Sequence, residues 1–126
     1  MAYISTEAVR AIRNELKKTF PNMKFSVRKD RHISVEVNIM KGNVDFSDIL
    51  EDNDRGYAQI NHYYTNQYGD HEKMFNVIID IMRNAPVTIG ERAWYDNSDS
   101  MTDYFDTAYY IHLSIGKWNK PYEMTV

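Results

Sequence analysis

Asp96, Asp99, Asp103 and Asp106 crowd one short stretch of this chain. Carboxylates gathered in a turn are hard oxygen ligands of the kind Mg²⁺ and Ca²⁺ take. The spacing lacks the fixed glycine and closing glutamate of a calcium loop. Asp, Asn and Ser also favour turns by bonding their own backbone, so "DNSDSMTD" reads as a turn and no metal is expected there. His32, His62, His71 and His112 show neither the H-x₃-H nor the H-E-x-x-H spacing of a zinc site. Serines 98, 100 and 114 lack the G-x-S-x-G surroundings of a nucleophile elbow. No glycine-rich phosphate loop is present. The absence of cysteine excludes disulfides, thiolate zinc sites and cysteine nucleophiles. No catalytic residue and no cofactor are therefore assigned. Tyr95, Asp96, Asp99, Asp103, Tyr110 and His112 instead form a candidate acidic and aromatic surface. An enzymatic reading would need the aspartates and His112 to converge in one cleft.

A second set of candidates is basic. Net charge is −3, but residues 1–31 carry +5 and residues 32–126 carry −8. Arg10, Arg13 and Lys17 recur at helical spacing and share one face. Arg28, Lys29, Arg31 and His32 cluster just downstream. Together these seven residues are a candidate binding surface that would follow a phosphate backbone, with the His32 ring stacking on a base. The acidic whole, with a pI near 5.8, weighs against nucleic acid, since such domains usually run basic. A basic end on an acidic body also orients a protein partner.

The elements that must carry these residues follow from periodicity. "STEAVRAIRNELKKTFPN" is a helix: Ser5 or Thr6 caps it, Ala8, Val9, Ile12 and Leu16 make an apolar stripe, and Pro21 bars continuation. The period then drops to two. Phe25 and Val27, then Ile33, Val35, Val37 and Ile39, alternate with polar residues around "KDRH", which is an antiparallel hairpin with one wet face. Phe46, Ile49 and Leu50 suggest a short helical turn, and residues from Tyr57 to Tyr64 a third strand. "GDHEKMFNVIIDIMRNAP" is a second main helix, capped by Asp70 and ended by Pro86. Its broad apolar coverage calls for burial on most sides or a subunit contact. From Phe105 to Ile115 strict alternation marks a last strand. Gly116 permits a turn after it, Trp118 would lie across the sheet end, and Pro121 would stop further pairing.

The expected fold is α+β: an antiparallel sheet of four to five strands with two main helices packed on it. No repeat or linker divides the chain, and residues 1–126 are expected to make a single domain. No apolar run approaches the roughly 20 residues a membrane helix needs, and the N-terminus lacks a signal-peptide pattern.

"YISTEAVRAIRNELKKTFPNMKFSVRKD", "ISVEV", "VDF" and "DYFDTAYYIHLSIGKWNKPY" resemble the large polyvalent protein-associated domain family, from Tyr3 to Tyr122. "FSVR" and "LSIGKWNKPY" are the most specific segments. That family occurs in phages, plasmids and other mobile elements, mainly as a module of long multi-enzyme proteins that travel with incoming DNA. The resemblance implies a stand-alone copy here and carries over no catalytic residue. It implies a cytoplasmic, non-catalytic accessory protein of a mobile element that binds a host, phage or plasmid protein, with counter-defence as one use. The alternative is a nucleic-acid-binding module using the basic helix and hairpin. No membrane partner is expected, and a homodimer would cover the broad apolar helix.

Overall fold

The computed structural model describes residues 2–50, 56–98, 101, 106–117 and 119–125. The expected class is found: a five-stranded sheet carries two main helices. Helix α1 spans Thr6–Thr19. Ser5 caps it, its hydroxyl accepting the Ala8 N–H at 3.0 Å. The same hydroxyl donates to Glu91 at 2.6 Å, which ties the helix start to a distant loop. Ala8, Val9, Ala11, Ile12 and Leu16 are buried on one face, as their spacing predicts. Each fully buried Ile or Leu contributes roughly 1.5–3 kcal/mol.

Strands β1 (Lys24–Asp30) and β2 (Ser34–Gly42) form the expected antiparallel hairpin. At its tip Arg31 (φ 51°) and His32 (φ 65°) are both left-handed, and the Ile33 N–H closes the turn on the Asp30 carbonyl. Two successive left-handed residues suit the right-handed twist of paired strands, although glycine would adopt them with less strain. A four-residue helix α2, Ser47–Leu50, matches the expected helical turn. The third strand is shorter than its pattern: β3 covers only Ala58–Ile60, and the chain then winds into a 3₁₀ stretch, Thr65–His71.

Helix α3 spans Glu72–Asn84. Asp70 does not cap it. The chain enters from the 3₁₀ stretch, so His71, already at helical angles, occupies the cap without a side-chain capping bond, its ring nitrogen meeting Asp48 at 2.9 Å instead. Phe75, Ile78, Ile79, Ile81 and Met82 are buried, whereas Val77 is exposed. Pro86 does not end the helical path. It sits in the first turn of a following 3₁₀ helix, Ala85–Ile89, where a missing N–H costs little, and Gly90 (φ 84°) terminates that helix.

Strand β4 (Tyr110–Ile115) alternates as expected, with Ile111, Leu113 and Ile115 inward. Strand order is β1-β2-β4-β3. The sheet is mixed. Pairs β1–β2 and β3–β4 are antiparallel, whereas β2–β4 is parallel, because α2, β3 and α3 all intervene before β4 arrives beside β2. A two-residue strand β5, Glu123–Met124, also pairs parallel with the end of β2. Pairing thus resumes beyond Pro121 instead of stopping there. The chain turns back between Lys117 and Lys120 and returns to the sheet. Trp118 lies outside the described residues. Tyr122 is what anchors the closing segment: its N–H donates to Gly56 O at 2.9 Å, its hydroxyl to Val44 O at 2.7 Å, and its ring meets Phe46 edge-on at 4.9 Å.

Val27, Val35, Val37, Ile39, Ile60, Ile111, Leu113 and Ile115 share one core with the buried faces of α1 and α3. Both main helices therefore cover one side of the sheet. The other side carries the alternate residues of the same strands and is where the candidate site lies.

Candidate functional site

An open groove of about 820 Å³ runs along the uncovered side of the sheet. Its floor follows directly from the strand registers. Arg28 on β1 pairs with Glu36 on β2, and Glu36 with His112 on β4, which sets three ionisable side chains in one lateral row. Asp30 and Tyr110 come from the next row, and Gln59 and Ser114 from a third; the remaining members of those rows, Ser34, Ser26 and Asn38, do not line the groove. Period-two alternation is the cause: the neighbours Val35, Val37, Ile111 and Leu113 are committed to the core. Arg28 Nη2 meets Glu36 Oε1 at 2.9 Å. Both ends are partly exposed, so this pair holds orientation more than it stabilises, at about 0–1 kcal/mol.

One wall is the segment after β3. Asn61, His62 and Tyr63 line it, with the His62 and Tyr63 rings 4.1 Å apart and Tyr63 exposed. His62 is lowered from 6.5 to about 4, chiefly because burial disfavours its charged form, with the positive fields of Arg83 and His112 adding to it. At neutral pH His62 is thus an uncharged imidazole.

The other wall joins two distant segments. Asp96 bridges antiparallel to Thr107, the Asn97 N–H donates to Asp106 O at 2.7 Å, and the Ala108 N–H to Tyr95 O at 2.9 Å. Trp94 Nε1–H donates to Tyr109 O at 2.6 Å, and the Arg83 guanidinium lies over the indole 4.6 Å from its centroid. The Asp96 carboxyl is held below the usual carboxylate range by the Ser98 hydroxyl and N–H, so it stays ionised. Tyr109 is buried with its hydroxyl donated to Met82 O; burial pushes its phenol upward, Glu91 adds to the rise, and Arg83 opposes it.

Beside the groove lies a smaller polar niche of about 150 Å³, lined by Arg28, Glu36, Asn38, Tyr57, Lys117 and Asn119. Asn38 is buried at 2% exposure on the central strand. Its amide nitrogen donates to Ser114 Oγ at 2.6 Å and to Gly116 O at 3.2 Å, while its Oδ1 has no partner among the described residues. The niche therefore abuts a polar knot that locks β2 to the end of β4.

The basic candidates are distributed over different faces. Arg10 and Lys17 are exposed on α1, and Arg13 Nη2 reaches across to the Val27 carbonyl at 2.7 Å. Lys29 turns to the helix side, where its Nζ meets Thr6 Oγ1 at 2.9 Å. Arg31 and His32 form the exposed hairpin tip. Arg28 alone of this set lines the groove. Of the acidic and aromatic candidates, Asp96, Tyr110 and His112 come together there. Tyr95 turns elsewhere, its ring under the Arg92 guanidinium at 4.3 Å. Asp99 and Asp103 lie outside the described residues. Glu36, Tyr63 and Trp94 were not among the sequence candidates, and His62 was weighed only as a zinc ligand. Glu36 carried a usable signal, its outward place on an alternating strand. His62 and Trp94 carried none, because they sit on irregular segments brought in by tertiary contacts.

Among the described residues no group of three or more His, Asp or Glu side chains is placed to hold a metal ion, and no helix is long and apolar enough to cross a membrane. No curated protein and no solved structure matches the chain at significance. The model of one protein family does match, over residues 3–115. These residues include α1, the hairpin, α3 and all of β4, and thus the floor and both walls of the groove. The chain belongs to the family described as large polyvalent protein associated domain 29.

Proposed function

We propose that this is a non-catalytic accessory protein of a mobile genetic element that works by binding, and that it takes an extended segment of a host or element protein along the uncovered sheet face. The observation that carries this reading is the groove itself. One side of the sheet is roofed by helices, while the other presents a wide concavity whose edge offers the exposed rings of Tyr63 and Tyr110. Tyrosine supplies a large, stiff contact area with a polar tip, and this combination suits protein recognition. The family name, which ties the domain to the polyvalent proteins of phages and other mobile elements, supports the setting; blunting a host defence is the use that such a binder would serve.

The test is affinity capture from host cells carrying the element, with the intact chain and with a Tyr63→Ala/Tyr110→Ala variant. Both positions are exposed, so the variant keeps its fold, as circular dichroism checks. A partner that saturates on the intact chain and is lost with the variant is expected. A partner retained equally by both, or no saturable partner, overturns the proposal. Nucleic-acid binding through α1 and the hairpin is the rival. The exposure of Arg10, Lys17 and Arg31 favours it. It requires affinity that falls steeply with salt and with Arg28→Ala or Arg31→Ala. The division of the basic residues between two faces of the sheet weighs against it.

A further inference from the structure

Resting on the groove as the binding surface, we infer that the polar niche beside it takes a primary amide, the side chain of a glutamine or asparagine in the bound segment, received by Asn38, Glu36 and Lys117. Asn38 is 2% exposed and lines the niche. Its nitrogen meets the Gly116 carbonyl at 3.2 Å, and a carbonyl can only accept, so the amide cannot be turned around. Oδ1 is thereby fixed as a buried acceptor with no donor among the described residues. Such a group costs free energy until a donor reaches it. The donors around it are spent or directed elsewhere. Arg28 is held by Glu36 at 2.9 Å, and the Tyr57 hydroxyl receives the Gln59 amide at 3.0 Å. The Lys117 ammonium makes no ion pair among the described residues.

These free groups select the occupant. A carboxylate would satisfy Lys117, but it brings no donor to Asn38 and meets Glu36 as like charge. An ammonium brings donors, but it faces Lys117 and Arg28. A hydroxyl leaves most of the space unfilled, since about 150 Å³ is the share of about five waters. A primary amide matches each group: its two N–H donors serve Asn38 Oδ1 and Glu36, and its carbonyl accepts from Lys117. The niche is continuous with the groove, because Arg28, Glu36 and Tyr57 line both. Asn38 follows Glu36 by two residues on the same face, about 6.5–7 Å on, which is the repeat of same-side side chains in an extended segment. Oδ1 itself is shut off from solvent, so the amide enters as the rim gives way. Lys117, with its flexible stem, and the exposed Asn119 belong to that rim.

The test is a titration of the ¹⁵N-labelled chain with hexapeptides alternating threonine with glutamine, methionine, glutamate or lysine. Acetyl and N-methylamide ends keep any other primary amide out of the experiment. The glutamine peptide is expected to shift the side-chain amide of Asn38 and the backbone amides of Lys117 and Asn119. It should bind about tenfold tighter than the methionine peptide, whose side chain has nearly the same length. Because the amide is neutral, that advantage should hold as salt rises from about 50 to about 300 mM. Lys117→Met, which keeps an apolar stem in place, should remove most of it. Equal binding of the glutamine and methionine peptides overturns the inference and leaves the groove reading standing, since a water then serves Asn38. Tighter binding of the glutamate or lysine peptide, or an undiminished advantage in Lys117→Met, also overturns the inference. So do glutamine-peptide shifts at Tyr63 and Tyr110 with none at the Asn38 side chain. No shift in groove or niche with any peptide overturns both readings.

Discussion

His62 shows how one side chain's surroundings set its behaviour. Burial holds it near 4, well under its ordinary 6.5, with Arg83 and His112 adding repulsion. The unfolded chain therefore binds a proton between those two values that the folded chain refuses. Stability contributed by the neutral imidazole is present above pH 6.5 and is lost as pH falls towards about 4. Urea midpoints measured from pH 7 down to 4.5 should decline in the intact chain and decline less in His62→Gln; an identical slope would refute this. Nothing in "INHYY" announces such a histidine, because the charges that act on it, Arg83 and His112, stand far along the chain. Glu36, Tyr110 and His112 were legible as one class of residue, since alternation alone puts them on the face opposite Val35, Val37 and Leu113. That they stand in adjacent rows needs the β2–β4 register, which no local pattern encodes.

Elements were readable wherever a residue type has a steric or hydrogen-bonding consequence within its own segment. Ser5 capped its helix, and the hairpin fell where the period changed. The end of β4 is different. Gly116 has φ +67°, a region other residues pay roughly 1–2 kcal/mol to enter. A Cβ there would also lie 2.3 Å from Gly56 O and 2.8 Å from Tyr122 N, both backbone atoms that cannot swing aside. Gly116→Ala should therefore cost more than about 2 kcal/mol. The Tyr122 amide, bonded to Gly56 O, should at the same time lose hydrogen-exchange protection. A loss of stability with Tyr122 protection intact would mean that the closing segment tolerates the methyl group. Glycine at this point was readable as a turn, but the crossing backbones it must clear were not.

At the scale of the whole molecule, the decisive contact is the parallel pairing of β2 with β4, which joins Ser34–Ile39 to Tyr110–Ile115. More than half of the chain lies between them, so loop closure must be paid before the pairing returns any energy. This contact is expected to form late in folding. Leu113, 3% exposed and opposite Val37, is the probe. Leu113→Ala should destabilise by about 2–5 kcal/mol. Most of that should appear as faster unfolding, with the folding limb of the chevron little changed. A loss carried by the folding limb would place the pairing in the nucleus instead. The same contact creates the groove, because His112 and Tyr110 reach Glu36 only through it.

Local chemistry by itself determined the two main helices, the hairpin, the inward and outward sets of β1, β2 and β4, and the exclusion of cysteine chemistry. Those properties depend on side-chain period, caps and breakers acting over a few residues. Tertiary structure alone decided that Arg28 stands on a different face from the helix cations, that Tyr122 anchors the closing segment, and that Asp96, His62, Trp94 and Tyr110 border one concavity. Each of these joins segments remote in the chain, and the free energy that joins them comes from burying a shared core, which no single segment carries.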